Sequence, residues 1–142
     1  MVPPLVVLDT MVVVRGIIGR SDSPDVRVLD AMQRGELRLA ISDAQLRELR
    51  RVMYKPDVES RITIPGRAFE LGLDIGVMGL LKYPRRLHWP NLGDSADSWI
   101  LDLALEARVD YIVTRDEGVS RDAPKSGFLV LDPPTFVRSA GL

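Results

Sequence analysis

Cysteine is absent from this chain of 142 residues, which excludes disulfides, thiolate metal ligands and a cysteine nucleophile. Histidine is nearly absent too. His88 stands alone, without the partners of a recognisable triad, and is read as structural or incidental. No apolar run approaches the roughly 18 residues of a membrane span. No basic leader precedes the first apolar segment, so we expect neither export nor membrane insertion, and a cytoplasmic address. Charge of one sign is lacking as well: 19 Lys and Arg against 20 Asp and Glu leave a net charge of −1. Any contact with nucleic acid must therefore use a local patch rather than the field of the whole molecule. Internal repeats, low-complexity tracts and interdomain linkers are missing. With 46% hydrophobic residues, the length fits one compact domain over residues 1–142.

The main chemical resource left is carboxylate, and its placement follows the secondary-structure pattern. Leu5 to Leu8 is a short continuous apolar run, as in a strand covered on both faces, and it ends at Asp9. Met11 to Ile18 is apolar and begins a helix. Ser23-Pro24 offers an N-cap and a first-turn proline, and Val26, Leu29, Ala31 and Met32 form a stripe ending before Gly35. Leu37 to Ile41 reads as the second strand. Ser42 then starts a helix with Leu46, Leu49, Val52 and Met53 on its apolar face and Glu48 on its length.

The stretch from Asp57 to Pro90 is the least legible and is the candidate for a lid or clamp. It holds one expected helix over Gly66 to Leu81, in which Gly72, Gly76 and Gly79 are read as allowing close packing or flexibility rather than as a phosphate loop. Leu87-His88-Trp89, bracketed by Pro84 and Pro90, is a candidate connecting strand. Ser98 to Arg108 is the clearest helix. Asp110 to Thr114 and Phe128 to Leu131 read as strands, and Pro133-Pro134-Thr135 begins a last short helix. Strands and helices alternate, so the expected class is α/β, in three layers around a mainly parallel sheet of about four or five strands.

In such a sheet, residues just beyond the carboxyl ends of adjacent strands converge on one crevice. Asp9 and Asp116 both end apolar runs, and Asp94-Ser95-Ala96-Asp97 opens the amphipathic run between them. Carboxylates brought together repel unless something positive sits among them, and an oxygen-loving divalent cation is the economical answer. Each acid also has a structural alternative. Asp97 can complement a helix N-terminus, Asp9 can cap the segment after it, Thr114 and Asp116 can form a turn, and Glu48 can be a solvated ion-pair partner. Arg47, Arg50 and Arg51 with Lys55 make one basic cluster; Lys82, Arg85 and Arg86 make a second. Either alone reads as a solvated face.

The order of elements and three motifs resemble the PIN-domain family of metal-dependent nucleases along nearly the whole chain. The opening Leu8-Asp9-Thr10 resembles its strand-one signature; Ser42 through Val52, SDAQLRELRRV, resembles its second helix motif. Asp94 through Asp116, DSADSWILDLALEARVDYIVTRD, resembles its most specific block. The resemblance implies a catalytic and metal-binding set of Asp9, Glu48, Asp97 and Asp116, with Thr10, Asp94 and Thr114 as accessory groups. It implies Mg²⁺ or Mn²⁺, two ions being able to activate a water and stabilise both oxygens of an in-line displacement. In that scheme Asp9 is the central ligand, Asp97 and Asp116 bind directly or through water, and Glu48 binds metal or orients water.

The implied substrate is single-stranded RNA, gripped by Arg47, Arg50, Arg51, Lys55, Arg85 and Arg86. The finer pattern looks most like the toxin subgroup of toxin–antitoxin systems, the VapC-like ribonucleases, which adds an antitoxin partner and a homodimer to the expectations. Two positions depart from the family. Met11 replaces the usual Asn and has no amide to orient Asp9 or a bound water, and Ser98 stands where another acid is frequent. The main alternative is therefore a catalytically impaired PIN-like module for RNA binding or protein interaction. A phosphoacceptor receiver domain is more distant, since its acidic pair and late lysine are not visible.

Overall fold

The computed structural model describes residues 2–20, 22–63, 66–89, 98–124 and 127–142. All four residues of β1 (Leu5–Leu8) are buried. Val6 and Leu8 join the apolar cluster on one side of the sheet and Leu5 and Val7 the cluster on the other, the two-residue period of a strand covered on both faces. Asp9 turns the chain at once into α1 (Thr10–Ile18). Ser23 caps α2 (Pro24–Gln33), its hydroxyl accepting the Val26 N–H, and Pro24 occupies the first turn, where a missing donor is harmless. After β2 (Arg38–Ser42), the Ser42 hydroxyl caps α3 (Asp43–Met53) in the same way. There follow α4 (Pro56–Glu59), α5 (Arg67–Met78), β3 (Leu80–Lys82), α6 (Ser98–Ala107), β4 (Tyr111–Val113), α7 (Glu117–Asp122), β5 (Leu129–Leu131) and α8 (Pro133–Ala140).

These strands form one parallel sheet in the order β3-β2-β1-β4-β5. The architecture is the expected three-layer α/β/α class, with five strands and every pairing parallel. Helices α1, α2, α3, α5 and α8 cover one face through residues such as Val13, Leu29, Leu49, Leu71 and Phe136. Helices α6 and α7 cover the other through Leu101, Leu103 and Val119. Phe136 is fully buried and meets the Tyr111 ring edge-on, with centroids 5.2 Å apart; burying such a ring contributes about 1.5–3 kcal/mol. The chain lays β2 and β3 on one side of β1, then returns to lay β4 and β5 on the other. The order thus reverses between β1 and β4, and in open α/β sheets ligands bind outside the carboxyl ends of the strands at such a reversal. Among the described residues, no helix is long and apolar enough to cross a membrane.

The region from Asp57 to Pro90 departs most from expectation. Its helix stops at Met78, and the next residues form the short edge strand β3, whose Leu80 and Leu81 are exposed. Leu87-His88-Trp89 is not a strand. Instead, the Leu87 N–H and the Trp89 indole N–H both donate to Asp102 Oδ1 on α6, at 3.1 and 2.8 Å. A buried carboxylate, rather than a neighbouring strand, satisfies this segment. The glycines divide as well. A Cβ on Gly79 would come within 2.5 Å of the Ile75 carbonyl and 2.7 Å of Ile41 Cδ1, whereas Gly72 and Gly76 have nothing within 4 Å. Close packing therefore holds for Gly79 alone. Helices α4 and α7 were not foreseen; at four and six residues they are too short for a 3.6-residue period to register.

The glycine division is measurable. Gly79→Ala should destabilise the protein by about 1–3 kcal/mol through overpacking, while Gly72→Ala should stabilise α5 by about 0.5–1 kcal/mol. Urea unfolding of the two variants should shift in opposite directions; shifts of the same sign would refute the division.

Candidate active site

Strand register brings the first and last strand-end groups together. Leu8 pairs with Val113, and the ladder runs one step further as Asp9 N–H donates to the Val113 carbonyl at 3.0 Å. Asp9 and Thr114 therefore emerge side by side, and Thr114 Oγ1 donates to Asp9 Oδ2 at 2.6 Å. The same hydroxyl oxygen accepts the Asp116 N–H at 3.1 Å. On the other side of Asp9, Thr10 Oγ1 donates to Glu48 Oε2 at 2.9 Å, which ties the start of α1 to the middle of α3. Thr10 and Thr114 are each 3% exposed, whereas Asp9, Glu48 and Asp116 are half-buried. The hydroxyls are anchored in the core, and the carboxylates reach the surface.

The structural alternatives weighed for these acids also occur. Asp9 Oδ1 accepts the Met11 N–H at 3.2 Å as the cap of α1. Asp116 Oδ1 accepts the N–H groups of Gly118 and Val119 at 2.7 and 3.2 Å as the cap of α7. Both carboxylates thus face helix N-termini, whose unpaired N–H groups and partial positive charge favour an anion. Capping and convergence coexist.

Two supporting contacts escaped the sequence. Gln45 Nε2 donates to the Leu8 carbonyl at 2.7 Å, fixing the residue before Asp9, while its buried Oε1 has no partner among the described residues. Its only signal was a polar side chain at stripe spacing with Leu49 and Val52. Arg115, between Thr114 and Asp116, makes two 2.8 Å bonds to both carboxylate oxygens of Asp25 on α2. That hydrogen bond, chiefly, holds the guanidinium above its ordinary pKa against the opposing cost of burial; the charges of Asp25, Asp132 and Asp9 add to it. The loop carrying Asp116 is in this way fastened to the helix layer.

Asp94 and Asp97 lie outside the described residues. Among the described residues, no three or more carboxylate, imidazole or thiol side chains are grouped closely enough to hold a metal ion. The donor set still fits a hard cation in kind. It is oxygen only, and Glu48 Oε1 and Asp116 Oδ2 make no hydrogen bond among the described residues. Magnesium keeps several waters and needs few direct carboxylates.

The basic residues separate in space. Arg47 on α3 and Arg86 beyond β3 line one cleft of about 400 Å³ together with Lys82. Arg50 and Arg51 are exposed on α3, Lys55 just after it and Arg85 beside Arg86, and these four do not line the cleft. A larger cavity, about 640 Å³, lies at the opposite end of the sheet among Pro4, Leu37, Asp110 and Phe136, away from the acids.

The fold defines a doubly wound α/β protein with Asp9 and Thr114 hydrogen-bonded to each other at its switch point. Within that class, a PIN-domain family model matches residues 5–118, a span that includes Asp9, Glu48, Thr114 and Asp116. The chain belongs to the PIN-domain family, a family of nucleases. No curated protein sequence matches it.

Thr114 is the joint on which the site's geometry can be tested. Thr114→Val should cost about 1–3 kcal/mol in urea unfolding, because it leaves the Asp116 N–H without its acceptor and Asp9 without its donor. Thr114→Ser should recover most of the loss. A valine variant as stable as wild type would overturn this role.

Proposed function

We propose that this chain is a metal-dependent endoribonuclease that hydrolyses phosphodiester bonds of single-stranded RNA, with residues 1–142 acting as one nuclease domain. Asp9, Glu48, Asp97 and Asp116 are the proposed catalytic and metal-holding acids, with Thr10, Asp94 and Thr114 as accessory groups. The observation that carries the reading is the Thr114 hydroxyl joined to both Asp9 and Asp116 at the strand reversal in a member of a nuclease family. Mg²⁺ or Mn²⁺, when bound, would supply an activated water and charge stabilisation on the phosphate oxygens. Asp9 takes the central place, since β1 pairs with β4, whose end leads to Asp116, and the neighbouring Thr10 binds Glu48. Thr10 holds Glu48 by one carboxylate oxygen, leaving Oε1 to accept a hydrogen bond from the attacking water and orient it. Arg115, held to Asp25, keeps the Asp116 loop in place while the phosphate enters. Arg47, Arg50, Arg51, Lys55, Arg85 and Arg86 would meet the RNA backbone, which positions the strand without reading its sequence.

A second reading, an impaired PIN-like module that binds RNA or protein without cutting, draws on Met11. Its backbone N–H reaches Asp9, but its thioether side chain, 47% exposed, cannot replace an amide. One experiment separates the two. Purified protein should cut single-stranded RNA with Mg²⁺ or Mn²⁺ and not with chelator, and Asp9→Asn should lower the rate by at least about 10²-fold with an unchanged circular dichroism spectrum. Equal cutting by wild type and variant would indicate a contaminant and end the proposal. If the chain is also a VapC-like toxin restrained by an antitoxin, expression of wild type should arrest growth, and expression of Asp9→Asn should not.

We further propose that two copies pair through α5 and β3. Phe69, Leu73 and Val77 are exposed along one side of the helix, and Leu80 and Leu81 are exposed on the open edge strand. Sedimentation should give a dimer for wild type and a monomer for Val77→Glu. A monomeric wild type at micromolar concentration would sink the pairing.

A further inference from the structure

We propose that the cleft between α3 and α6 is a nucleotide subsite, resting on the nuclease reading above, in which an unpaired base stacks on Tyr83 while Arg47, Lys82 and Arg86 hold its phosphates. Its position comes from register. Lys82 pairs with Ser42, and Leu39 pairs with Val6, so three residues further along each strand Ser42 stands level with Asp9. Ser42 lines the cleft. The cleft therefore opens on the same carboxyl edge as the acids, beginning about one strand spacing of 4.8 Å from Asp9, where a nucleotide adjacent to the scissile phosphate would lie.

The charges of the lining are unevenly committed. Asp102 spends one carboxylate oxygen on the Leu87 and Trp89 donors and is 5% exposed. Asp43 pairs with one nitrogen of Arg47, whose guanidinium has further donors to offer. Lys82 and Arg86 make no ion pair among the described residues. A positive surplus thus faces the opening, which suits a phosphodiester and not an acidic protein core.

Tyr83 is 76% exposed and lines the same cleft as the half-buried Trp99. An aromatic ring left in water beside three cations has little to do for folding and much to offer a base, since every nucleobase has a face to stack and only an unpaired one can present it. The volume, about 400 Å³, falls within the ~300–1,000 Å³ range of sites for small ligands. The cleft thus accounts for a preference for single strands that the acids alone do not provide.

The test uses binding without cleavage: full-length protein in chelator, titrated with an eight-nucleotide single-stranded RNA and read by intrinsic tryptophan fluorescence and by anisotropy of a labelled strand. Wild type should bind with quenching, and Trp99→Phe should abolish the quench, because Trp89 is buried against Asp102. Tyr83→Ala should weaken binding about tenfold, the loss of one stacked base, while Tyr83→Phe binds as wild type does. Lys82→Ala and Arg86→Ala should each lower the salt slope by about one. Undiminished affinity in Tyr83→Ala, equal competition by a duplex of the same sequence, or no binding by wild type would each overturn the subsite. The nuclease reading fails separately: Tyr83-dependent binding without Asp9-dependent cleavage removes the nuclease and keeps the subsite, and the reverse removes the subsite alone.

Discussion

The hydrogen bond from Thr114 to Asp9 across adjacent strands is the contact on which the carboxyl edge of the sheet depends. Each described acid at that edge is held by donors that contribute about 1 kcal/mol each. Thr114 donates to Asp9, Thr10 donates to Glu48, and the N-termini of α1 and α7 donate to Asp9 and Asp116. Arg115 adds a positive charge nearby.

The Thr114–Asp9 bond exists because β1 and β4 are neighbours where the sheet order reverses. Parallel strands send all their carboxyl ends to one edge, and the register Leu8–Val113 sets Asp9 against Thr114 across adjacent strands. The helix layers then fasten what the strands deliver. Gln45 reaches from α3 to the last carbonyl of β1, Arg115 ties the β4 loop to α2, and Asp102 on α6 gathers the segment that leads away from β3. Each is a buried or half-buried polar contact whose loss would leave a group unsatisfied, so the edge is stiff where the acids stand.

Met11 shows how family membership and individual chemistry diverge. The amide side chain expected at this position from the resemblance is missing, while the Met11 backbone N–H donates to Asp9. Capping explains why the substitution is compatible with the fold. Any residue except proline supplies a backbone N–H at the second position of a helix, whereas only certain side chains could reach a bound water.

Much was legible from the chain alone where local patterns are strong. The doubly covered strand Leu5–Leu8, the Ser23-Pro24 and Ser42 caps and the run beginning at Ser98 were all readable, because burial period and capping chemistry act over a few neighbouring residues. The edge strand Leu80–Lys82, the pinning of Leu87 and Trp89 and the open faces of Gly72 and Gly76 were not. A three-residue strand has no period to detect, and a glycine's surroundings depend on what packs against it. Sequence also supplied the acids and their order, but not their partners. That Thr114 binds Asp9 across 105 positions, that Gln45 holds Leu8, and that Arg47 meets Lys82 and Arg86 in one cleft while Arg50 and Arg51 do not were decided by strand order and helix packing. Chemical type is written locally in the chain, whereas distance between remote side chains exists only once the sheet has closed its register.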